Sequence, residues 1–252
     1  MNRIRRALRK MFQRVTNLVP RSLRKQLILN WLSAEKNSPP RDAIPWLLEV
    51  YDAATFEIDQ ASTRWGGGVH IKHQLMDGIH SFFYERIPDN SRVLDLGCGI
   101  GAVAEAIASH SNAEVLGVDM NADSINFAKG RYKHPKLRFI CGNVFTDLPQ
   151  NETFDVIVLS SVLEHLEKRS TFLKSLARTF RPKKFLIRVP TFDQHHFKAL
   201  KRELGLFAFV DPTHVLEYSP EIFTAEMGEA NLKIAHLEIR WGDIWAECFP
   251  SE

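Results

Sequence analysis

The run Val93-Leu94-Asp95-Leu96-Gly97-Cys98-Gly99-Ile100-Gly101 constrains this chain more than any other stretch. It reads as a buried strand that ends in an acid and turns through three alternate glycines into a helix starting near Ala102. Glycine at 97, 99 and 101 removes Cβ atoms that would hold a ligand off the backbone. The free N–H groups of the following helix aim at the same place. Such a strand, turn and helix is expected to cradle a nucleotide-like cofactor.

The spacing Gly97-X-Gly99-X-X-Ala102 also fits a dinucleotide fingerprint. Asp95 separates the two cases. Its carboxylate, at the carboxyl end of the strand, repels a pyrophosphate and attracts the ammonium and sulfonium of S-adenosylmethionine. A second apolar strand, Val115 to Val118, ends in Asp119, where a carboxylate accepts hydrogen bonds from both ribose hydroxyls. A third, Leu137 to Cys141, leads to Asn143 and Val144, expected beside adenine. Cys98, inside the turn, is read as a small residue in a tight place rather than a nucleophile. The expected cofactor-contacting set is Asp95, Gly97, Cys98, Gly99, Gly101, Asp119, Met120, Asn143, Val144 and, after the fourth strand, Ser160.

Four pieces in order, VLDLGCGIG (93–101), GVDMN (117–121), CGNVF (141–145) and FDVIVLSSVLEHL (154–166), resemble the class I S-adenosylmethionine-dependent methyltransferases. The resemblance covers about residues 88–248. It implies an α/β fold with a doubly wound, Rossmann-like, seven-stranded and mostly parallel sheet closed by an antiparallel C-terminal hairpin. The residue pattern agrees, with strands near 92–96, 114–119, 137–141, 154–159 and 184–189 alternating with helices near 101–109, 122–132, 169–180 and 220–230. An N-terminal helical extension (1–36) precedes the linker Asn37-Ser38-Pro39-Pro40. The methyltransferase domain is expected over 41–252, with a cap or lid at 41–87 and the core at 88–252.

The formal charge of +3 conceals an asymmetry. Residues 1–34 hold nine Lys and Arg and no acid, so the rest carries 24 basic against 30 acidic residues, a net of −6. Ile4, Leu8, Met11, Phe12, Val15, Leu18 and Val19 recur at helical spacing among the arginines, and Leu23, Leu27, Ile28, Trp31 and Leu32 continue the pattern after Pro20. Three readings stand open: a helix on an anionic membrane surface, a helix packed on the domain, and a cleaved transit peptide. RNA held by these arginines is opposed by their few interleaved aromatics and by the acidic remainder. Cys98, Cys141 and Cys248 lack metal-ligand spacing, which points to a reducing, cytoplasmic setting. No apolar run is long enough to span a bilayer.

Methyl transfer to a hydroxyl needs alignment, exclusion of water and removal of a proton by a base or a metal. After the fourth strand, the backbone of Ser160 and Ser161 is expected to face the cofactor's methionine portion. Glu164 and His165 then fall on a short helical turn at the acceptor side. Glu164, His165 and His214 are candidate proton acceptors or ligands of a divalent metal. Asp211 and His214, on a proline-fixed turn, are a candidate carboxylate-oriented base. In some O-methyltransferases of the resembled family, including ubiquinone-pathway and small-RNA enzymes, Glu-X-X-Glu-His binds a divalent metal. Ser161 stands where that motif has its first glutamate. His195 and His196 are expected to be polar surface. His70 and His73, after Trp65-Gly66-Gly67-Gly68, are read either as part of a lid or as a solvated helix start.

His70-Ile71-Lys72-His73, SSVLEHLEKR (160–169), DPTHVLEYS (211–219) and WGDIWA (241–246) resemble bacterial methyltransferases associated with cell-surface glycan assembly. That implies a saccharide or glycolipid hydroxyl as acceptor, with another small molecule as the alternative, and the basic amphipathic start of a cytoplasmic protein would suit a lipid-linked acceptor presented at the inner membrane face. Two other classes compete. A non-catalytic cofactor-binding protein is opposed by the intact glycines and acids, and an NAD-dependent oxidoreductase by Asp95.

Overall fold

Alternation of apolar runs with helical patterns dictates the architecture seen in a computed structural model, which describes residues 16, 18–76, 78–149, 152–192 and 195–251. The chain divides into two units, Met1–Phe56 and Glu57–Glu252. In the first unit, helix α1 (Arg21–Ala34) buries none of its residues and exposes Leu23, Leu27, Ile28 and Trp31. The repeat expected from Ile4 to Val15, with its arginines, lies outside the described residues. Helix α2 (Pro40–Trp65) spans the division. Among the described residues, no helix is long and apolar enough to cross a membrane.

In the second unit, short helices α3 (Lys72–Leu75) and α4 (Ser81–Tyr84) lead into the sheet. Its strands are β1 (Arg92–Leu96), β2 (Glu114–Asp119), β3 (Leu137–Cys141), β4 (Val156–Ser160), β5 (Lys184–Pro190), β6 (Leu232–Arg240) and β7 (Asp243–Pro250). The order is β3-β2-β1-β4-β5-β7-β6, parallel except where β7 runs antiparallel to β5 and β6. The expected seven-stranded sheet and closing hairpin are therefore present. Helices α5 (Ala102–His110), α6 (Ala122–Arg131), α7 (Arg169–Phe180), α8 (His196–Glu203) and α9 (Pro220–Glu229) connect the strands.

Strands β1, β2, β4 and β5 are buried on both faces, as inner parallel strands require. Successive β1 residues feed two separate cores: Leu94 and Leu96 pack with Phe172, Leu173 and Phe223, whereas Val93 packs with Ile107, Ile125 and Trp245. Each large apolar side chain so buried contributes about 1.5–3 kcal/mol. The chain starts at β1, winds outward through β2 and β3, then returns to β4 on the other side of β1. The carboxyl ends of β1 and β4 flank this reversal, the place where open α/β sheets bind ligands.

One element departs from the sequence expectation. Residues 191–210, read as an acceptor-side loop, contain α8. Its buried positions are Lys198 and Lys201 rather than the apolar ones, so a hydrophobic periodicity could not reveal it.

Candidate functional site

The glycine turn is shaped by packing as much as by any ligand. All three glycines have positive φ, +67° at Gly97, +51° at Gly99 and +81° at Gly101. A Cβ on Gly97 would lie 2.6 Å from Val162 Cγ2, and one on Gly101 2.6 Å from Phe139 Cζ. Those two positions are glycine because protein fills the space. Only at Gly99 would a Cβ point into open volume, so the ligand argument holds there and not at its neighbours. Asp119 closes the turn, its Oδ2 accepting from Gly99 N (2.8 Å) and its Oδ1 from Asn121 N (2.8 Å).

Beneath the turn, Asp95 is 1% exposed and its Oδ2 has no hydrogen-bond partner. Burial, with the Asp119 charge added, pushes its carboxyl up to about 8. An orphaned buried carboxylate oxygen below an open backbone cradle fits a cationic cofactor. Cys98 packs against the sheet at Gly117, and burial raises its thiol, which is therefore inert. Met120 and Asn143 are exposed and Val144 is half-buried at the ends of β2 and β3. Asn143 Oδ1 accepts from Phe145 N (2.8 Å), which fixes the side chain.

Across the reversal, Ser160 ends β4 and Ser161 takes a φ of +59°. For a non-glycine residue that conformation is strained, and such strain clusters at functional sites. A 3-10 turn (Leu163–His165) follows, with Glu164 buried and His165 exposed. Main-chain bonds draw the segment 211–218 onto this turn: Val215 N donates to Glu164 O (2.9 Å) and Tyr218 N to Pro190 O (3.0 Å). Glu164, His165 and His214 thereby offer ligand atoms all within 4.8 Å of one another. The three residues singled out from the sequence do converge.

Their surroundings define what they can do. Glu164 is 1% exposed, its Oε2 has no hydrogen-bond partner, and burial pushes its carboxyl up to about 7. Thr213 Oγ1 donates to Asp211 Oδ1 (2.6 Å), so its oxygen is left to accept from His165 Nδ1 (2.9 Å). Asp211 thus backs His165 through a hydroxyl. It does not orient His214, as the sequence had suggested; His214 Nδ1 lies 3.0 Å from Glu217 Oε1 instead. With both Nδ1 atoms engaged, the Nε2 atoms are the ones free to act. Two imidazole nitrogens, each backed by a carboxylate, and an unpartnered carboxylate oxygen form a donor set that fits a divalent metal.

Thr213, Glu217 and Lys198 escaped the sequence reading. The i,i+3 spacing of His214 and Glu217 was the one available signal. His195 and His196 are exposed, His195 capping α8 by accepting from Phe197 N, as surface histidines do. Asp193 and Gln194 lie outside the described residues. His70 Nδ1 accepts from Lys72 N, while His73 Nδ1 lies 2.9 Å from His80 Nε2. Burial pushes the His73 imidazole down to about 3, so that ring is neutral.

Residues 93–183 match a family model described as a methyltransferase domain. The chain is 34% identical over 132 residues to the mitochondrial ubiquinone biosynthesis O-methyltransferase of Schizosaccharomyces pombe, covering 47% of this chain and 46% of that one. It is 37% identical over 106 residues to a fatty-acid O-methyltransferase of Mycolicibacterium smegmatis, covering 41% and 38%. The chain thus spans less than half the length of either relative. Among solved structures, the magnesium protoporphyrin IX methyltransferase of Synechocystis PCC 6803 with bound SAH shares the fold, with a TM-score of 0.55 and 19% identity over 71% of this chain and 83% of that one.

Proposed function

We propose that this chain, whose residues 93–183 match a methyltransferase domain, is an S-adenosylmethionine-dependent methyltransferase that methylates a hydroxyl of a saccharide or lipid-linked small acceptor. The observation that supports this best is the convergence of Glu164, His165 and His214 beside the glycine turn, at the reversal of the sheet. Methyl transfer to a hydroxyl needs a base that takes its proton or a cation that polarises it, and this cluster offers atoms for either. The relatives named above carry O-methyltransferase names, in accord with an oxygen acceptor.

S-adenosylmethionine supplies an activated methyl group on a cationic sulfur. Asp95 and the turn around Gly99 hold its methionine portion, Asp119 its ribose, and Asn143 with Val144 its adenine. A divalent cation on Glu164, His165 and His214 would supply Lewis acidity toward the acceptor oxygen. Without a cation, Glu164 Oε2 or a histidine Nε2 lone pair would instead take the single acceptor proton. Exposed Phe207 and Val210, next to Asp211, give an apolar lip suited to an acceptor with a lipid portion.

Cofactor binding is expected to depend on pH through Asp95. Free Asp95 is mostly protonated below about 8. A bound ammonium favours the carboxylate, so binding expels a proton and acid opposes it. Between pH 6 and 7.5 the affinity should climb by up to about tenfold per pH unit. Calorimetry in buffers of different ionisation heat reads this directly. A flat profile, or the same slope in Asp95→Asn, removes Asp95 from the role.

The acceptor is tested by incubating native extracts with the protein and a deuterated methyl donor, then reading products by mass spectrometry. Label in saccharide or lipid-linked species is expected. Label confined to RNA transfers the assignment to nucleic acid, and no labelled product at all defeats it. The exposed apolar residues of α1, with Arg21, Arg24 and Lys25, support a further reading in which 1–34 lies on anionic lipid. Equal sedimentation with anionic liposomes after removal of 1–34 eliminates that reading.

A further inference from the structure

Glu217 lies behind the candidate site, with no part of its side chain exposed. Its Oε1 accepts from Val210 N (2.7 Å) and faces His214 Nδ1 at 3.0 Å, while Oε2 accepts from Lys198 Nζ. Lys198, 7% exposed, also donates to Thr191 O (3.1 Å). A buried charge of either sign is costly alone, and each is costly to unpair. Such a pair, buried beside a histidine that converges with two other candidate ligands, calls for a role.

We infer that Glu217, anchored by Lys198, is a positioning residue that fixes His214 in its Nδ1–H form and turns Nε2 toward Glu164 and His165. The inference rests on the reading of those three residues as one cluster. The geometry of the carboxylate carries it. Its Oε1 already accepts from Val210 N, and its Oε2 is paired with the buried Lys198 ammonium. It is therefore ionised and can only accept, so the proton of the shared bond sits on His214 Nδ1. The lone pair then falls on Nε2, the atom with no other partner in this arrangement. Lys198 earns its buried place by balancing Glu217, and its bond to Thr191 O ties the pair to the end of β5. The other groups around His214 are Glu164, His165 and Asp211. Asp211 serves His165 through Thr213, so the two histidines have separate supports. Outer partners of this kind orient metal-binding imidazoles.

The test is nitrogen-resolved NMR of the imidazoles in the full, metal-free chain, with Co2+ titration as a second readout. In the wild type, His214 is expected to show a protonated Nδ1 and a bare Nε2. Lys198→Met combined with Glu217→Leu removes both charges, so neither is left unpaired. His214 should then lose the Nδ1–H preference, and Co2+ affinity should fall about 10–100-fold. S-adenosylmethionine affinity should stay within about twofold, because the pair lies on the acceptor side. A proton on Nε2 of wild-type His214 overturns the inference, and so does a double variant that keeps both the Nδ1–H form and wild-type Co2+ affinity. If the double variant does not fold, the wild-type spectrum alone decides. If Co2+ fails to bind the wild type, the metal reading falls while the tautomer still decides this one.

Discussion

Replacing Glu164 by glutamine, or His214 by alanine, is expected to lower turnover by about 10²–10⁴-fold, the range a positioned proton-handling group contributes. S-adenosylmethionine should still bind, because neither side chain lies in the glycine turn. The first variant isolates chemistry from folding. Glu164 Oε2 has no hydrogen-bond partner, so an amide there breaks no bond at that atom. The main-chain carbonyl that accepts from Val215 N remains. The second leaves Glu217 bonded to Lys198 and Val210 N, so the buried carboxylate is not stranded. The measurement is product formation on the acceptor found by isotope labelling, with cofactor affinity taken in parallel. Wild-type turnover in both variants would remove the cluster from catalysis and leave it a structural clasp.

The second large effect is on stability. Gly101→Ala should cost about 2–5 kcal/mol, combining a left-handed backbone for an L-residue with an overpacked core. The added methyl would stand 2.6 Å from Phe139 Cζ and 3.0 Å from Ala128 Cβ, with φ held at +81°. For a domain of this size that lowers Tm by about 5–15 °C. Gly99→Ala makes the contrast. Its Cβ meets nothing within 4 Å, so its stability cost should be limited to about 1–2 kcal/mol of backbone strain. Its cofactor affinity should fall far more, because the methyl enters the open cradle. Thermal denaturation and calorimetry on the pair separate packing from binding. Equal Tm losses for the two variants would contradict the division of roles among these glycines.

The sheet was legible because its signals are local. β1 to β4 are largely apolar runs with an acid, an amide or a serine at or just past their carboxyl ends, and burial of the inner strands rewards that pattern directly. Asp95, Asp119 and Asn143 were expected beside a cofactor because the end of a parallel strand is where open α/β sheets take ligands, and they stand at or just past the ends of β1, β2 and β3. The failures have a common cause, which is that the responsible partner is far away in sequence. Nothing in the run 93–101 reveals that Phe139 and Val162 occupy the space beside two of its glycines. Nothing around His195 reveals that Lys198 turns inward, since its reason is Glu217, nineteen residues on. The pairing of Asp211 with His214 failed for a nearer reason. Thr213, between them in sequence, takes the carboxylate through both its N–H and its hydroxyl.

The bonds from Val215 and Tyr218 to Glu164 and Pro190 join main chain to main chain, so they are indifferent to side-chain identity. Residues 204–209 can therefore be rewritten, by drift or by design, without unseating His214, which follows them. Under the proposed reading, acceptor preference is then a readily exchanged trait, while the proton-handling cluster is inherited with the backbone.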